Sequence, residues 1–242
     1  MARAPVADRG LVARLRRALV LALAACAGIA ILWIAWIGAH IGWYRTHPPR
    51  ETSFMAQRMD EARARNPNAQ LRYQWVPYGR ISPHLKRAMI AAEDAKFAEH
   101  GGFDWEGIQK ALEKNRQKGH VVGGGSTITQ QLAKNLFLSP AKSYLRKGEE
   151  AVVTVMLEAM LPKQRIFELY LNVIEWGNGV FGAEAAARRY FGVPAAQLSA
   201  EQAAKLAAMT PSPRVFERNP DSAYLAGRVA TILARMPAAT IP

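Results

Sequence analysis

Cysteine is nearly absent from this chain of 242 residues, and the single one, Cys26, lies inside a long apolar segment. The remainder of the chain therefore has no disulfide, no cysteine metal ligand and no cysteine nucleophile. The five histidines have no metal-ligand spacing, and no dinucleotide-binding glycine motif is present. An oxidising compartment stays permitted, because such a compartment allows disulfides without requiring them.

Acidic residues are also scarce, since 19 Asp and Glu stand against 32 Lys and Arg and the formal net charge is +13. This balance favours an anionic partner such as nucleic acid, phospholipid head groups or a phosphorylated substrate. No nucleic-acid-reading motif accompanies the charge, and a membrane anchor argues against that partner. The sequence therefore predicts no nucleic-acid binding.

An uncharged apolar run extends from Ala18 to Ala39, which as a helix is long enough to span a bilayer core of about 30 Å. Five arginines and one aspartate give residues 1–17 a charge of +4, and aromatic residues gather toward the far end of the run. Basic residues before a span keep the N-terminus in the cytoplasm. The sequence predicts a single-pass protein of the cytoplasmic membrane with its folded domain in the periplasm.

Two other interpretations of the apolar run are weaker. A cleaved signal peptide has a shorter apolar core and a small-residue cleavage site, whereas this run continues well beyond any such site. The residues from Leu23 to Cys26 look like a lipoprotein processing box, but about fifteen apolar residues follow where a mature lipoprotein turns polar. An uncleaved anchor fits the sequence better than either.

The chain divides by composition into a basic tail (1–17), a transmembrane helix (18–43), a membrane-proximal linker and helix (44–70) and a main domain (71–242). Helical patterns dominate the main domain, and only Leu71 to Val76 alternates like a strand. The predicted helices begin near Ser53, Ser82, Asp104, Gly123, Ser143, Lys163, Ala183, Ser199 and Asp221. The first of the main-domain helices is expected to run past Glu93 toward Gly101, and the basic segment Lys114 to His120 is expected to be mobile.

The first cluster that could carry chemistry runs from Glu93 to Gly102. Adjacent residues on a helix point about 100° apart, so Glu93 and Asp94 do not form a carboxylate dyad. Glu93 shares a helix face with Met89 and Phe97, and a carboxylate beside apolar surface is a better base near neutral pH. A surface glutamate that merely adjoins core residues fits the same spacing equally well.

The second cluster is a glycine run that leads into a helix, from Gly123 to Asn135. Free backbone N–H groups and the positive end of a helix dipole suit a phosphate group. Ser126, Gln130 and Lys134 follow at intervals of four residues, on one polar face opposite an apolar stripe. The motif is not the nucleotide P-loop, and a flexible loop before an ordinary amphipathic helix also explains it.

The third cluster contains Arg146 and Glu150, whose spacing of four is typical of an ion pair on a helix surface. Glu150, however, begins an apolar helix with Val153 and Leu157 on the same side, so it is expected to face a core or a cleft. Periodicity does not separate Glu149 from Glu150. The nearby Ser139 to Lys142 match to a Ser-x-x-Lys nucleophile is a chance match, because the partner motifs of that chemistry are missing.

These clusters and two later ones resemble, in the same order, the motifs of the family 51 peptidoglycan glycosyltransferases. The motifs are Glu93 to Gly102, Gly124 to Asn135, Arg146 to Glu150, Glu168 to Asn172 and Gly179 to Phe191. The resemblance covers about residues 75–220, and the short chain looks like the monofunctional biosynthetic member of the family. It implies a mainly α, lysozyme-like glycosyltransferase domain with a smaller membrane-proximal lobe, here preceded by one transmembrane helix.

The resemblance also implies a reaction and assigns roles by position. The enzyme would polymerise lipid II into glycan strands, forming β-1,4 bonds with inversion and releasing undecaprenyl pyrophosphate. Glu93 matches the general base and Glu150 the second catalytic carboxylate. The positions that contact pyrophosphate and sugar are Ser126, Thr127, Gln130, Gln131, Lys134, Lys142 and Arg146. Residues expected to shape the site are Asp94, Phe97, His100, Gly124, Gly125 and Asn135.

Partners and cofactors follow from the same resemblance. The expected partners are lipid II, the growing glycan chain and membrane phospholipid, with cell-division or elongation machinery and penicillin-binding proteins as candidate protein partners. No cofactor is expected to be obligatory and no protein metal site is expected, although a divalent cation (Mg²⁺ or Mn²⁺) is a candidate aid to pyrophosphate departure. The alternatives are a lytic transglycosylase, which has no use for a pyrophosphate cradle, and a non-enzymatic scaffold for cell-wall assembly.

Overall fold

The computed structural model describes residues 7–119, 125–139 and 143–242. The chain divides into two compact units, residues 1–43 and 44–242. The helices are α1 (Ala7–Tyr44), α2 (Ser53–Arg63), α3 (Pro83–Glu93), α4 (Trp105–Lys118), α5 (Ile128–Phe137), α6 (Tyr144–Met160), α7 (Lys163–Val173), α8 (Ala183–Phe191), α9 (Ala200–Met209), α10 (Pro213–Arg218) and α11 (Ala223–Arg235). The strands are β1 (Arg72–Tyr73), β2 (Glu175–Gly177) and β3 (Val180–Phe181). The predicted mainly α fold is confirmed, since 69% of the structure is helical.

Helix α1 contains the apolar run, and its stretch Gly10–Tyr44 is long and apolar enough to cross a membrane by length and composition. Most of its apolar side chains up to Ile34 are exposed, with Leu21 and Leu32 exposed to 70% and 71%, whereas Ile37 and Ile41 near its end are buried. In water such exposure is unfavourable, whereas in lipid it is favourable. The exposure pattern therefore suits the anchor that the sequence predicts.

Several helix starts lie where the capping residues predicted them. The Ser82 hydroxyl accepts the His84 N–H at 3.2 Å with Pro83 in the first turn, and Asp104 accepts the Gly107 N–H at 2.9 Å. Ser199 and Gln202 form the predicted capping box at the start of α9. Each cap satisfies backbone donors that the helix itself leaves unpaired.

Several helix boundaries differ from the sequence prediction. Helix α5 begins at Ile128, with Thr127 as its N-cap, and not near Gly123. Helix α3 ends at Glu93, because Asp94 leaves helical geometry (φ −162°, ψ 78°) and turns its side chain toward other segments. Helix α4 continues through the basic segment as far as Lys118 and ends at Gly119, which has the left-handed conformation. That segment is therefore helical over its described part, while His120 lies outside the described residues.

A small three-stranded sheet has the order β1-β3-β2, with β1 parallel and β2 antiparallel to β3. Only Arg72 and Tyr73 of the predicted strand pair, with Val180 and Phe181 respectively. The strand is short because its partner β3 is itself two residues long. The sheet is small, but Trp176 of β2 and Phe181 of β3 are fully buried and belong to the core.

The core of residues 44–242 lies between two groups of helices. Helix α3 packs against α9 and α11, while α5 packs against α6, α7 and α2. The largest fully buried side chains include Trp176, Tyr170, Phe97 and Phe167. The C-terminal end of α3 and the N-terminal end of α5 meet between the two groups, and the candidate site lies at that junction.

Candidate active site

Glu93 is the last residue of α3, and its carboxylate is held by two donors from distant segments. The Gln131 Nε2 group of α5 donates to Glu93 Oε2 at 2.9 Å. The Thr210 hydroxyl, just after α9, donates to Glu93 Oε1 at 2.5 Å. Because both oxygens are hydrogen-bonded while the residue stays partly exposed, the carboxylate has a fixed orientation and an open side toward solvent.

The orientation of Gln131 is itself fixed by Tyr170 of α7, whose hydroxyl donates to Gln131 Oε1 at 3.0 Å. With its oxygen occupied, the amide presents its N–H group to Glu93. Burial, and then the charges of Glu93 and Asp94, raise the pKa of Tyr170 well above its ordinary value. Tyr170 is therefore a donor at any physiological pH. It donates to Gln131, and Gln131 in turn donates to Glu93.

Asp94 connects the end of α3 to the start of α5. Its Oδ2 accepts the N–H of Ile128 at 3.0 Å, and its Oδ1 lies 2.9 Å from His100 Nε2. The His100 Nδ1 atom accepts the Gly102 N–H at 3.2 Å, which assigns the proton of a neutral ring to Nε2. Asp94 and His100 thus have defined contacts at this junction, and their site-shaping role stays a prediction.

The start of α5 is organised by a capping box. Thr127 Oγ1 accepts the Gln130 N–H at 3.2 Å, and Gln130 Oε1 accepts the Thr127 N–H at 3.0 Å. Thr127 also donates to the Gly102 carbonyl at 2.7 Å. Both side chains are buried and bonded to the protein, so substrate contact by Thr127 and Gln130 stays a prediction, whereas their contacts in the structure hold the loop.

Gly102 is the position where that loop needs glycine. Its φ is +94°, a region that side-chain-bearing residues rarely adopt. A Cβ atom there would lie 2.7 Å from Thr154 Cγ2 and 3.0 Å from Glu158 Cγ. Gly125 has a similar closeness on the other side of the site, since a Cβ atom there would lie 3.0 Å from the Ile108 Cα.

Glu150 lies in α6 and is 3% exposed, so the structure separates it from its neighbour Glu149, which is more exposed. Arg146 Nη1 donates to Glu150 Oε2 at 2.7 Å, and Lys147 Nζ pairs with Oε1. The pair at positions 146 and 150 is therefore a buried carboxylate held by two cations and not an ordinary surface ion pair. Of the two interpretations of the Arg146–Glu150 spacing, the structure thus favours a carboxylate that faces the interior.

Lys134 of α5 is within electrostatic range of both carboxylates. Burial is the main cause that lowers the pKa of Lys134, the charges of Arg146 and Lys147 lower it further, and the charges of Glu150 and Glu93 oppose the shift. Lys134 as a residue is half-buried. An anion that binds beside Lys134 would favour its charged form and so oppose the effect of burial.

A cavity of about 220 Å³ opens beside Glu93. Ser126, Asp94 and Thr127 line it, and so does Arg235 from the end of α11. Ser126 is exposed and Arg235 is exposed, so a polar group of a substrate in this cavity meets a hydroxyl, a guanidinium and the Glu93 carboxylate together. Ser126 and Glu93 therefore line the same cavity, while pyrophosphate contact by Ser126 stays a prediction.

The other predicted site residues have structural contacts or lie outside the described ranges. Phe97 is fully buried, 5.4 Å from the Phe167 ring centroid and under Lys163 Nζ at 4.5 Å. Asn135 donates to the Gln131 carbonyl at 2.7 Å within α5. Gly124 and Lys142 lie outside the described residues.

Sequence reasoning assigned no site role to Thr210, Tyr170, Arg235 or Lys147. Thr210 and Arg235 follow Glu93 by more than a hundred residues, and no local spacing connects them to the motifs. Lys147 adjoins Arg146 in the third cluster and Tyr170 lies in the fourth motif, so both belong to motifs that were already identified in the sequence. Their partners become known only from the fold.

Among the described residues no group of three or more His, Cys, Asp and Glu side chains could hold a metal ion. Both oxygens of Glu150 already pair with cationic side chains. Around Glu150, the described residues therefore provide the cations Arg146 and Lys147 and no set of free ligands for a divalent ion. The site combines an oriented carboxylate with a group of cations, of which Lys134 and Arg146 are half-buried and Lys147 is exposed. This combination suits proton removal beside an anionic group.

The comparisons with known proteins agree with a sugar-transferring site. A family model described as "Transglycosylase" matches residues 60–237. A protein of Dechloromonas aromatica (strain RCB) named "Biosynthetic peptidoglycan transglycosylase" is 61% identical over 231 residues, which cover 94% of this chain and 99% of that protein. A protein of the same name from Azoarcus sp. (strain BH72) is 57% identical, with 91% of this chain and 95% of that protein covered.

A third relative with that name, from Laribacter hongkongensis (strain HLHK9), is 56% identical and covers 93% of this chain and 98% of its own length. Both the extent of the family match and these identities are high. The chain belongs to the transglycosylase family. It is an enzyme, a glycosyltransferase, as the ordered motifs of the sequence predicted.

Proposed function

We propose that the chain polymerises lipid II into peptidoglycan glycan strands, forming β-1,4 bonds with inversion and releasing undecaprenyl pyrophosphate. Three relatives of 56–61% identity carry the name biosynthetic peptidoglycan transglycosylase and support the substrate class. The observation that carries the proposal is the pairing of the oriented Glu93 carboxylate with a cluster of cations around Glu150. A polymerase needs both, because an alcohol attacks while a pyrophosphate leaves.

Glu93 is proposed as the general base that takes the proton of the acceptor's glucosamine 4-hydroxyl. Gln131 and Thr210 fix both carboxylate oxygens, so the remaining lone pairs point in defined directions. The adjoining cavity of about 220 Å³ gives a hydroxyl access to the carboxylate. A positioned base of this kind accelerates a reaction by roughly 10²–10⁴.

The leaving group is proposed to meet Lys134, Arg146 and Lys147, with Ser126 and Lys142 as further contacts. Arg146 and Lys147 both touch Glu150, and Lys134 is coupled to that same carboxylate. Glu150 is thus proposed as the second catalytic carboxylate, which keeps three cations together at the place where pyrophosphate develops negative charge. Fixed charges of this kind cost little reorganisation during the reaction.

The proposed step balances without any further reactant. The acceptor oxygen forms a bond to the donor's muramyl C1, and the bond from C1 to pyrophosphate breaks on the opposite face, which inverts the configuration. The electron pair leaves with undecaprenyl pyrophosphate, and the hydroxyl proton goes to Glu93. We propose that no cofactor is obligatory, so polymerisation is expected to persist in EDTA; complete loss that Mg²⁺ or Mn²⁺ restores would contradict this.

The experiment that tests the proposal is polymerisation of lipid II by a Glu93→Gln variant. We expect product formation to fall by roughly 10²–10⁴, because the amide cannot accept the proton. Glu99→Gln is the matched control, since Glu99 is an exposed carboxylate of the same motif. Substantial polymer from Glu93→Gln would sink the base assignment, and release of anhydro-sugars from finished glycan would favour a lytic enzyme instead.

The membrane arrangement is a proposal of the same kind. Residues 1–17 would lie in the cytoplasm, residues 18–43 would span the cytoplasmic membrane, and residues 44–70 would connect the span to a periplasmic glycosyltransferase domain formed by residues 71–242. Phospholipid, lipid II and the growing glycan would be its partners, with division or elongation proteins as candidates. A reporter fused after Pro242 is expected to be active only outside the cytoplasm.

A further inference from the structure

Thr210 occupies an unusual place in the site, because it ends one helix and touches the carboxylate at the end of another. It is the C-terminal capping residue of α9, and its hydroxyl oxygen lies 2.5 Å from Glu93 Oε1. The same oxygen lies 2.8 Å from the carbonyl oxygen of Ala207, one turn back in α9. The hydroxyl thus has two acceptors within reach and a single proton to give.

The charge state of Glu93 decides where that proton goes. An ionised carboxylate is only an acceptor. If the Thr210 proton pointed at Ala207, two lone pairs would face each other across 2.5 Å, which is unfavourable. With Glu93 ionised, Thr210 therefore donates to Glu93, in a charge-assisted hydrogen bond stronger than the neutral bond to Ala207.

The contact can persist after Glu93 takes up a proton. A protonated Oε1 becomes a donor to the Thr210 oxygen, and the Thr210 hydroxyl turns to the Ala207 carbonyl. Gln131 cannot reverse in this way, because its N–H group faces Glu93 and Tyr170 occupies its oxygen. Gln131 can continue to donate to Oε2 when the proton is on Oε1. Among the described contacts of Glu93, Thr210 is the partner that can both donate to and accept from the same carboxyl oxygen.

We infer that Thr210 is a positioning residue that holds the Glu93 carboxyl group in place both before and after it accepts the substrate proton. The inference rests on the proposed function, in which Glu93 is the base. Without the Thr210 hydroxyl, Gln131 alone of the two described donors would hold the carboxyl group, and Oε1 would have no described partner at the moment the charge changes. A hydroxyl in this position stabilises the ionised form more than the neutral form, because charge-assisted bonds are the stronger ones.

Several other charged or titratable groups lie around Glu93, and a variant that tests Thr210 must leave these groups unchanged. Lys134 of α5 and Tyr170 of α7 are coupled to its charge. Asp94 and Asp104 line the same cavity, and so does Arg235 of α11. Replacement of Thr210 by valine leaves all of them in place, since valine has nearly the shape of threonine and lacks only the hydroxyl.

The test compares Thr210→Val with Thr210→Ser on lipid II, using kcat, KM and the pH profile of kcat/KM. We expect Thr210→Val to lower kcat about 10-fold with KM within about 2-fold, since one charge-assisted bond is lost. The acidic limb of its profile should move to higher pH. Thr210→Ser retains a hydroxyl and should restore both the rate and the limb, while Thr231→Val, which removes an exposed hydroxyl from α11, should resemble the unmodified enzyme.

The outcomes separate this inference from the proposed function. Polymerisation by Glu93→Gln would remove the proposed function itself. An inactive Glu93→Gln together with a Thr210→Val variant of unchanged rate and pH profile would remove only the role of Thr210. A lowered kcat with an unmoved acidic limb that Thr210→Ser does not restore would show a purely structural role and would also overturn the inference.

Discussion

The carboxylate of Asp94 accepts the backbone N–H of Ile128 at 3.0 Å, which joins the residue after α3 to the first residue of α5. An anion at this position satisfies an unpaired helix donor and interacts favourably with the helix dipole. The same carboxylate also accepts from His100. One side chain therefore fixes how the Glu93 helix meets the helix that contains Gln131 and Lys134.

Asp94→Asn is expected to weaken this junction. An amide has one acceptor atom, so its N–H₂ group must face either the Ile128 N–H or the His100 Nε2–H. Two buried donors then face each other without an acceptor between them. We expect the free energy of unfolding to fall by about 2 kcal/mol, measured by thermal or denaturant unfolding in detergent. Glu99→Gln, in the exposed part of the same loop, is the control; equal stability of the two variants would contradict the role of Asp94.

Glu150→Gln is expected to lower kcat on lipid II roughly 100-fold or more, because Arg146, Lys147 and Lys134 lose the charge that holds them together. Glu149→Gln supplies a matched control one residue away, where the carboxylate is more exposed. Steady-state polymerisation rates check the difference. If both variants behaved alike, the structural distinction between the two glutamates would have no catalytic meaning.

The lowered pKa of Lys134 predicts an alkaline limit on substrate binding. A lysine with a lowered pKa loses its proton at a lower pH than an ordinary lysine as pH rises. KM for lipid II should then rise on the alkaline side, by about 10-fold once the charged contact to pyrophosphate is lost. Lys134→Arg stays charged and should remove this alkaline rise, and an unchanged KM profile in that variant would contradict the assignment.

Gly102→Ala is expected to destabilise the fold by about 1–3 kcal/mol, because alanine is strained at φ +94° and its Cβ would meet Thr154 at 2.7 Å. Gly101→Ala is the neighbouring control, since a Cβ there meets nothing within 4 Å. Unfolding temperatures of the two variants give the comparison. A drop in both variants, or in neither, would show that the conformation of Gly102 is unimportant.

Much of this molecule follows from local rules in the sequence. The uncharged run of α1, the capping residues Ser82, Asp104 and Ser199, and the mainly helical pattern needed only neighbours in the chain. The order of the motifs likewise indicated the family, and the comparisons confirm that family. These features depend on residues within a few positions of one another, and a sequence displays such relationships directly.

Other features depended on tertiary contacts. The end of α3 at Glu93, where the sequence predicted a longer helix, results from Asp94 bonding to α5 and not from any helix-breaking residue. Likewise, the distinction between Glu149 and Glu150 emerged only from burial and from the two cations at Glu150.

By itself, the sequence determined that this chain has an apolar segment long enough for an anchor, a helical domain and the ordered motifs of a glycosyltransferase. Only the tertiary structure decided which atoms meet Glu93. Thr210 lies 117 positions from Glu93 along the chain, and Gln131 lies 38 positions away. Contacts of that kind arise from the packing of helices that are remote in sequence, and periodicity within a single helix contains no information about them.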